Sequence, residues 1–290
     1  KTVRIAPFGR FDLQAGHEDG EGVYLAEFLP QEGDYRYLAG VSRYGNTPTE
    51  ASNPLDYTFA FRANARAGSG EQQYTMVTNE RGTCWSQSNW VELANVRGKA
   101  VVASLVFRDR NGAQMASTSV PVPALSMHHL NASDLVPIGT IGSLEITSSD
   151  AGALVAESVV YFNDCEANEL QTAYNIGARP SGLDFQVGSY NKFVNQNNLL
   201  RVLNVGSTAA NFVLDVNAHG LLSNRQIHSI GANSMAVMNL SDSGQFSVSA
   251  DAFGTTTITG DSPRTLIGNN LRMRETLDGK VEFAIPTPLQ

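Results

Sequence analysis

The sequence predicts an all-β protein, a tandem array of β-sandwich modules of which the first is partial. Three observations carry that expectation. The phrase "NWVELANVRGKA" beginning at Asn89 returns as "NLLRVLNVGSTA" at Asn198, with one offset at both ends (198 − 89 = 109, 204 − 95 = 109). Apolar and polar residues alternate over short runs, the period of a half-buried strand. Finally, 26 of 290 residues are Gly, Asn, Ser and Thr are plentiful, and no long stretch has helical period, so turns must be frequent.

The middle module, 82–190, parses strand by strand. "NWVELANV" alternates Val91, Leu93 and Val96, and Trp90 is assigned to its core. "AVVASLVFRDRNGAQMASTSVPV" reads as two strands around Asn111-Gly112, a hairpin dipeptide because both turn positions tolerate positive φ. "ALSMHHLNASDL" is a turn-rich connection, and "GSLEITSSD" and "ALVAESVVYF" are two further strands. The last module, 191–290, repeats the order, with Ser234, Met235 and Asn239 standing 108 positions after Ser126, Met127 and Asn131 (239 − 131 = 108). Its closing segment predicts a hairpin tipped by Asp278-Gly279. The first module, 1–81, enters late in the pattern: "YRYLAGVSRYG" matches "GALVAESVVYF", with Tyr44 against Tyr161.

Trp90, Leu93, Asn95, Asn111-Gly112, Pro121, Pro123, Ser126, Leu130, Gly142, Ile146 and Tyr161 together resemble the repeat of bacterial secreted tandem β-sandwich proteins of the cell-surface and adhesin type. The resemblance implies immunoglobulin-like sandwiches, an extracellular or cell-surface location, and a structural or adhesive role without catalytic residues. The last module departs from the pattern, with Leu199 in the place of the Trp and no cysteine.

Composition narrows the function classes. The net charge of −8 and pI near 5.1 give no basic face for a nucleic acid. No run of about 18 apolar residues could form a membrane-spanning helix. Cys84 and Cys165 are too few for a zinc site. They read either as two reduced thiols or as a disulfide closing 165 − 84 = 81 residues. Their position on either side of the middle repeat favours the disulfide, which implies an oxidising compartment.

Local constellations for chemistry are sparse. His17, Glu18, Asp19 and Glu21 form the densest polar cluster, a weak candidate for a cation, but lack calcium-loop spacing and read as a solvated turn. His128 and His129 point to opposite faces of an extended segment. No G-x-S-x-G elbow or Cys/His pair occurs, so no enzyme and no cofactor are expected. The sequons at Asn131 and Asn239 read as a turn that each module needs, ahead of glycan attachment. Trp85, Tyr57 and Tyr74 are candidates for an exposed platform that would stack on sugar rings. Arg272, Arg274, Val281, Phe283 and Ile285, on the closing hairpin, are candidates for pairing between chains by strand addition. The expected partners are therefore neighbouring modules, a second copy of the chain, or glycans.

Overall fold

The computed structural model describes residues 2–5, 40–46, 57–64, 68, 70–164, 166, 169–246 and 248–290, with 40–46 and 57–64 described by their backbone. The fold is all-β. Strands β1 (Gly40–Asn46) and β2 (Tyr57–Asn64) pair antiparallel. Eight strands follow: β3 (Gln72–Asn79), β4 (Trp85–Asn95), β5 (Val101–Asp109), β6 (Gln114–Val122), β7 (Met127–Asn131), β8 (Thr140–Ser148), β9 (Leu154–Asp164) and β10 (Leu170–Gly177). They make two four-stranded sheets, β3-β8-β5-β6 and β10-β9-β4-β7, and form the middle sandwich. Eight more, β11 (Phe185–Asn191), β12 (Asn197–Asn204), β13 (Ala210–Ala218), β14 (Leu221–Ile230), β15 (Met235–Asn239), β16 (Phe253–Gly260), β17 (Leu266–Glu275) and β18 (Val281–Pro288), repeat the plan as β11-β16-β13-β14 and β15-β12-β17-β18.

Each sandwich starts one strand earlier than the repeated phrase. The boundary expected at residue 82 falls between β3 and β4, and the one at 190/191 falls inside β11. The two opening strands, "QQYTMVTN" and "FQVGSYN", share only Gln73 and Gln186. These two side chains do the same work: their Nε2 atoms donate to Leu154 O and to Leu266 O, each at 2.8 Å.

The repeated phrase has a physical cause. Its Asn is fully buried in both sandwiches. Asn95 Nδ2 donates to the carbonyls of Lys99 (2.8 Å), Val122 (3.1 Å) and Pro123 (2.8 Å), and its Oδ1 accepts from Arg97 N (2.9 Å). Asn204 repeats the set with Thr208 O (2.8 Å), Ile230 O (3.3 Å), Gly231 O (2.9 Å) and Gly206 N (2.9 Å). One side chain thus satisfies the turn after its strand and the strand end opposite, groups that would otherwise be buried unpaired. The sequons also act as turns. Asn131 Oδ1 accepts from Ser133 N, and Ser133 Oγ accepts from Asn89 N; Asn239, Ser241 and Asn198 repeat the arrangement. At the Asn111-Gly112 hairpin joining β5 to β6, Gly112 takes φ 86°.

Inward residues of each sandwich close one apolar core. Leu93, Leu105, Phe107, Leu144 and Ile146 lie in the middle one; Leu200, Phe212, Leu214, Phe246 and Ile258 lie in the last. A third core joins the two. The 11-residue strands β4 and β9 use one face twice: Val91, Leu93, Leu154 and Ala156 cover the middle core, while Trp85, Val160 and Phe162 overhang it. With Met76 and Tyr174 they grip Leu203, Met235, Ile267 and Leu271 on the outer face of the sheet β15-β12-β17-β18. That face is therefore buried from both sides.

The N-terminal strand pair continues the pattern. Tyr44 faces Ala60 as Tyr161 faces Ala173 (161 − 44 = 117), so β1 and β2 stand to each other as β9 and β10 do. Strand β2 lies against β10, as β10 lies against β18.

Candidate functional surfaces

The junction between the sandwiches is the most elaborate built region among the described residues. Trp85 is buried in it, not exposed: its ring meets Phe162 edge-on at 5.2 Å, and its Nε1 donates to Glu275 Oε1 at 3.0 Å across the junction. Phe162 packs on Tyr174 at 5.9 Å. Tyr74, half-buried, lines a cavity of about 40 Å³ with Met76, Ile176, Leu203, Ile267 and Asn269. Burial raises its hydroxyl pKa, with Glu145 adding to the rise and Arg108 opposing it. Of the expected platform, then, Trp85 and Tyr74 serve the junction, and the side chain of Tyr57 lies outside the described residues. Trp90, assigned to the core from sequence, is half-exposed, because it stands on the face opposite Val91 and Leu93.

Polar contacts ring the junction. Lys280 Nζ pairs with Asp164 Oδ2 at 2.8 Å, Gln171 Nε2 donates to Cys84 O at 3.0 Å, and Val281 N donates to Gln171 Oε1 at 2.8 Å. The hydrogen bond and charge of Asp164 raise the Lys280 pKa. Inside the ring lies a charge that the sequence reading missed. Arg201 is fully buried, and among the described residues it has one hydrogen bond, Nη1 to Tyr174 Oη at 3.4 Å, while its Nε and Nη2 have no partner there. Asn269, opposite it on β17, has no partner among the described residues for either amide atom. Burial pushes the Glu80 carboxyl above its ordinary range, and the Arg201 charge works against that rise. The signal for Arg201 was available. "NLLRVLN" carries Leu199 and Leu203 on the face shared with Arg201, so both faces of the strand are apolar.

The expected assembly hairpin completes the last sandwich. Strand β18 pairs with β17 as β10 pairs with β9, and Val281 belongs to the junction core. Its tip, Gly279 (φ 80°), sits against Thr83 and Cys84. Arg274 pairs with Glu282 and lies over the Phe283 ring at 5.9 Å; Ile285 is exposed.

A second surface went unnoticed in the sequence. At one end of the last sandwich Phe193 stacks on Phe253 (5.8 Å), and His219 meets Phe253 edge-on (4.9 Å), with Leu221 and Leu222 beside His219 in the chain. Phe253 is 50% and Leu221 75% exposed. Val194, Asn195, His219 and Asp251, all non-glycine, take positive φ near this end, and such strain persists only where its surroundings hold it.

His17, Glu18, Asp19, Glu21 and Cys165 lie outside the described residues. Among the described residues no cluster of His, Cys, Asp and Glu could hold a metal, and no helix is long and apolar enough to cross a membrane.

No protein-family model and no curated protein matches the chain. Solved structures similar to it include a β-glucuronidase from glycoside hydrolase family 2 (TM-score 0.19, 10% identity, 76% of this chain and 24% of that one). The Ruminococcus gnavus β-glucuronidase matches in complex with N1-substituted uronic isofagomine (TM-score 0.18, 10% identity, 90% and 47%) and with D-glucaro 1,5-lactone (TM-score 0.18, 9% identity, 90% and 46%). The chain spans less than half the length of each. At these scores the likeness bears on neither fold nor function.

Proposed function

We propose that the chain is a non-enzymatic structural element of an extracellular or cell-surface protein, in which β-sandwiches are fused face-on into a stiff array. One observation carries the reading: the junction has a core of its own, with Trp85, Phe162 and Tyr174 against Leu203, Ile267 and Leu271. Domains that move freely have smaller and more polar contacts. The double use of one face of β4 and β9 supports it, since strands longer than their own sandwich requires are spent on the neighbour. An oxidising location brings with it a disulfide between Cys84 and Cys165, which are chain neighbours of Trp85 and Asp164, a facing pair in the β4–β9 ladder.

Small-angle X-ray scattering on the chain tests this. A single curve fitted by one rigid particle is expected; Met76→Asp, which places a carboxylate in the junction, should convert it to an ensemble of separately tumbling sandwiches. An ensemble already present in the unaltered chain would sink the reading.

A glycan- or ligand-binding role is the second reading. It rests on the exposed Phe193–Phe253 stack and His219, aromatic faces of the kind that hold sugar rings. A glycan array with Phe253→Ala as control tests it.

A further inference from the structure

The edge of a β-sheet exposes a row of unpaired N–H and C=O groups, and a fold has to cover, shorten or blunt it. The edges of the two sandwiches are managed in these ways with one exception. Strand β3 is covered by Arg179, which exchanges hydrogen bonds with Tyr74 at 2.8 and 2.9 Å, and β11 by Gln290, which does the same with Val187 at 2.7 and 3.0 Å. Strands β10 and β18 lie against each other, and β7 and β15 are five residues long. Strand β6 carries Pro121, which has no N–H to offer. The exception is β14, ten residues long and without a proline.

Asn211 sets the direction of the β14 backbone. Its N–H donates to Asp261 Oδ1 at 2.8 Å and its C=O accepts from Asp261 N at 3.0 Å, so both point away from β14. Ser229, which faces Asn211, therefore points its own N–H and C=O away from β13, and Ile227 and Arg225 follow at the period of two. Among the described residues no backbone group pairs with this row. The repeat shows what has changed. Val213 faces Ile227 as Ser104 faces Ser119, and Asn211 faces Ser229 as Val102 faces Pro121. The last sandwich thus has Ile227, 77% exposed, in place of a serine, and a serine in place of the edge proline. Arg225, a charge that would discourage pairing, is neutralised by Asp215, which takes its Nε at 2.6 Å and its Nη2 at 2.7 Å. On the other face of the strand Gln226 Nε2 donates to Gln245 O at 2.8 Å and His228 stacks on Phe212, so the strand is anchored from within.

We propose that β14 is the pairing edge for β14 of a second copy of the chain, the two strands running antiparallel about a two-fold axis at Ile227. In that register the N–H and C=O groups of Arg225, Ile227 and Ser229 meet those of Ser229, Ile227 and Arg225 of the second copy. The two sheets become one, joined by main-chain hydrogen bonds. Side chains select the register. Ile227 packs on itself and prolongs the row that Val213 begins, and Arg225 stands opposite Ser229. A two-fold axis at Arg225 would set like charges directly opposite, which destabilises a strand pair. An edge whose apolar residue is matched by its own copy, and whose charge is already paired within the chain, fits a second copy without further complement.

Sedimentation velocity on the whole chain over a concentration series should show the average mass rising from the 31.2 kDa monomer towards twice that value and no further, because a two-fold contact closes on two copies. Hydrogen exchange at the amides of Arg225, Ile227 and Ser229 should slow as the dimer forms. Ser229→Pro, which carries over the proline of β6, should weaken the dimer at least about tenfold by removing one donor from each copy. Ile227→Lys and Ile227→Glu, altered at an exposed side chain, should each remain monomeric and, when mixed, form 1:1 dimers, since the position faces itself only in this register. Should Ser229→Pro lose its fold, the mixture and the exchange measurement decide. A chain that stays monomeric at about 0.5 mM overturns the proposal, whether or not it binds an extended peptide of another protein. So does association beyond the dimer, a dimer whose Ile227 amide exchanges as in the monomer, or a mixture that stays monomeric. Association abolished by Phe253→Glu or Ile285→Glu but not by Ile227→Lys would place the contact at the aromatic end or the closing hairpin and overturn it as well. The dimer needs the last sandwich alone, so its failure leaves the stiff junction of the proposed function standing, and a loose junction leaves the dimer.

Discussion

The middle and last sandwiches have the same strand order, the same buried Asn and the same sequon turn, yet they face opposite tasks. The middle one directs its overhang, Trp85, Val160, Phe162 and Tyr174, into a core. The last one carries Arg272, Arg274, Phe283 and Ile285 at the end of the matching strands, with no tryptophan before β12. The difference teaches that the repeat preserves what closes each sandwich and varies what each sandwich shows its neighbour. Residues answering to backbone needs recur at fixed offsets; residues answering to a partner change with the partner.

The largest test of this comparison removes what the two share. Asn95→Ala and Asn204→Ala each strip four hydrogen bonds from buried main-chain groups. Leaving such groups unsatisfied costs about 1–3 kcal/mol apiece, relieved in part by water at the turn, so a loss of about 3 kcal/mol is expected in each. Urea unfolding checks it. Equal losses support a shared fold device, whereas a silent Asn204→Ala would show that the last sandwich closes by other means.

A difference between the sandwiches gives the next effect. Both cysteines fall in the middle repeat of the sequence and none in the last. The expected disulfide would stabilise by about 4 kcal/mol through the unfolded chain. Thermal unfolding with and without reductant should therefore lower the midpoint of the transition that includes the middle sandwich. A midpoint unmoved by reductant removes the disulfide and, with it, the inference of an oxidising compartment.

These contrasts also explain what could be read from the sequence. Period-two alternation shows which residues share a face, and it placed Val91 and Leu93 correctly. It does not tell what covers each face. For that reason Trp90 was assigned to the core although its face is the outer one, and Trp85 was offered to solvent although a neighbouring sandwich lies over it. The Asn-Gly hairpin and the sequon turns were legible because their chemistry is local. Strands β3 and β11 escaped because they pair with β8 and β16, far along the chain, and share one residue. The aromatic end escaped for the opposite reason: Phe193, His219 and Phe253 come from three separate segments of the chain, and only the fold brings them together.

Acid should separate the two sandwiches by a smaller margin. His228 on β14 stacks on Phe212 at 5.1 Å, its Nε2 is buried without a partner among the described residues, and burial holds its pKa below the ordinary histidine value. A depressed histidine favours its neutral form when folded, so the stability it contributes is present above the unfolded pKa and is lost as pH falls through the folded one. Glu80 at the junction works in the other direction: its raised pKa contributes stability that is present at low pH and lost as pH rises through the folded value. Between pH 7 and pH 5, His228→Gln should flatten the acid loss and Glu80→Gln should remove the opposing gain. Hydrogen exchange resolved by strand should locate the first effect in β13 and β14 and the second in β3, β10 and β12. Equal acid sensitivity in both sandwiches after His228→Gln supports the comparison; a slope unchanged by that substitution would mean that another group in the last sandwich carries it.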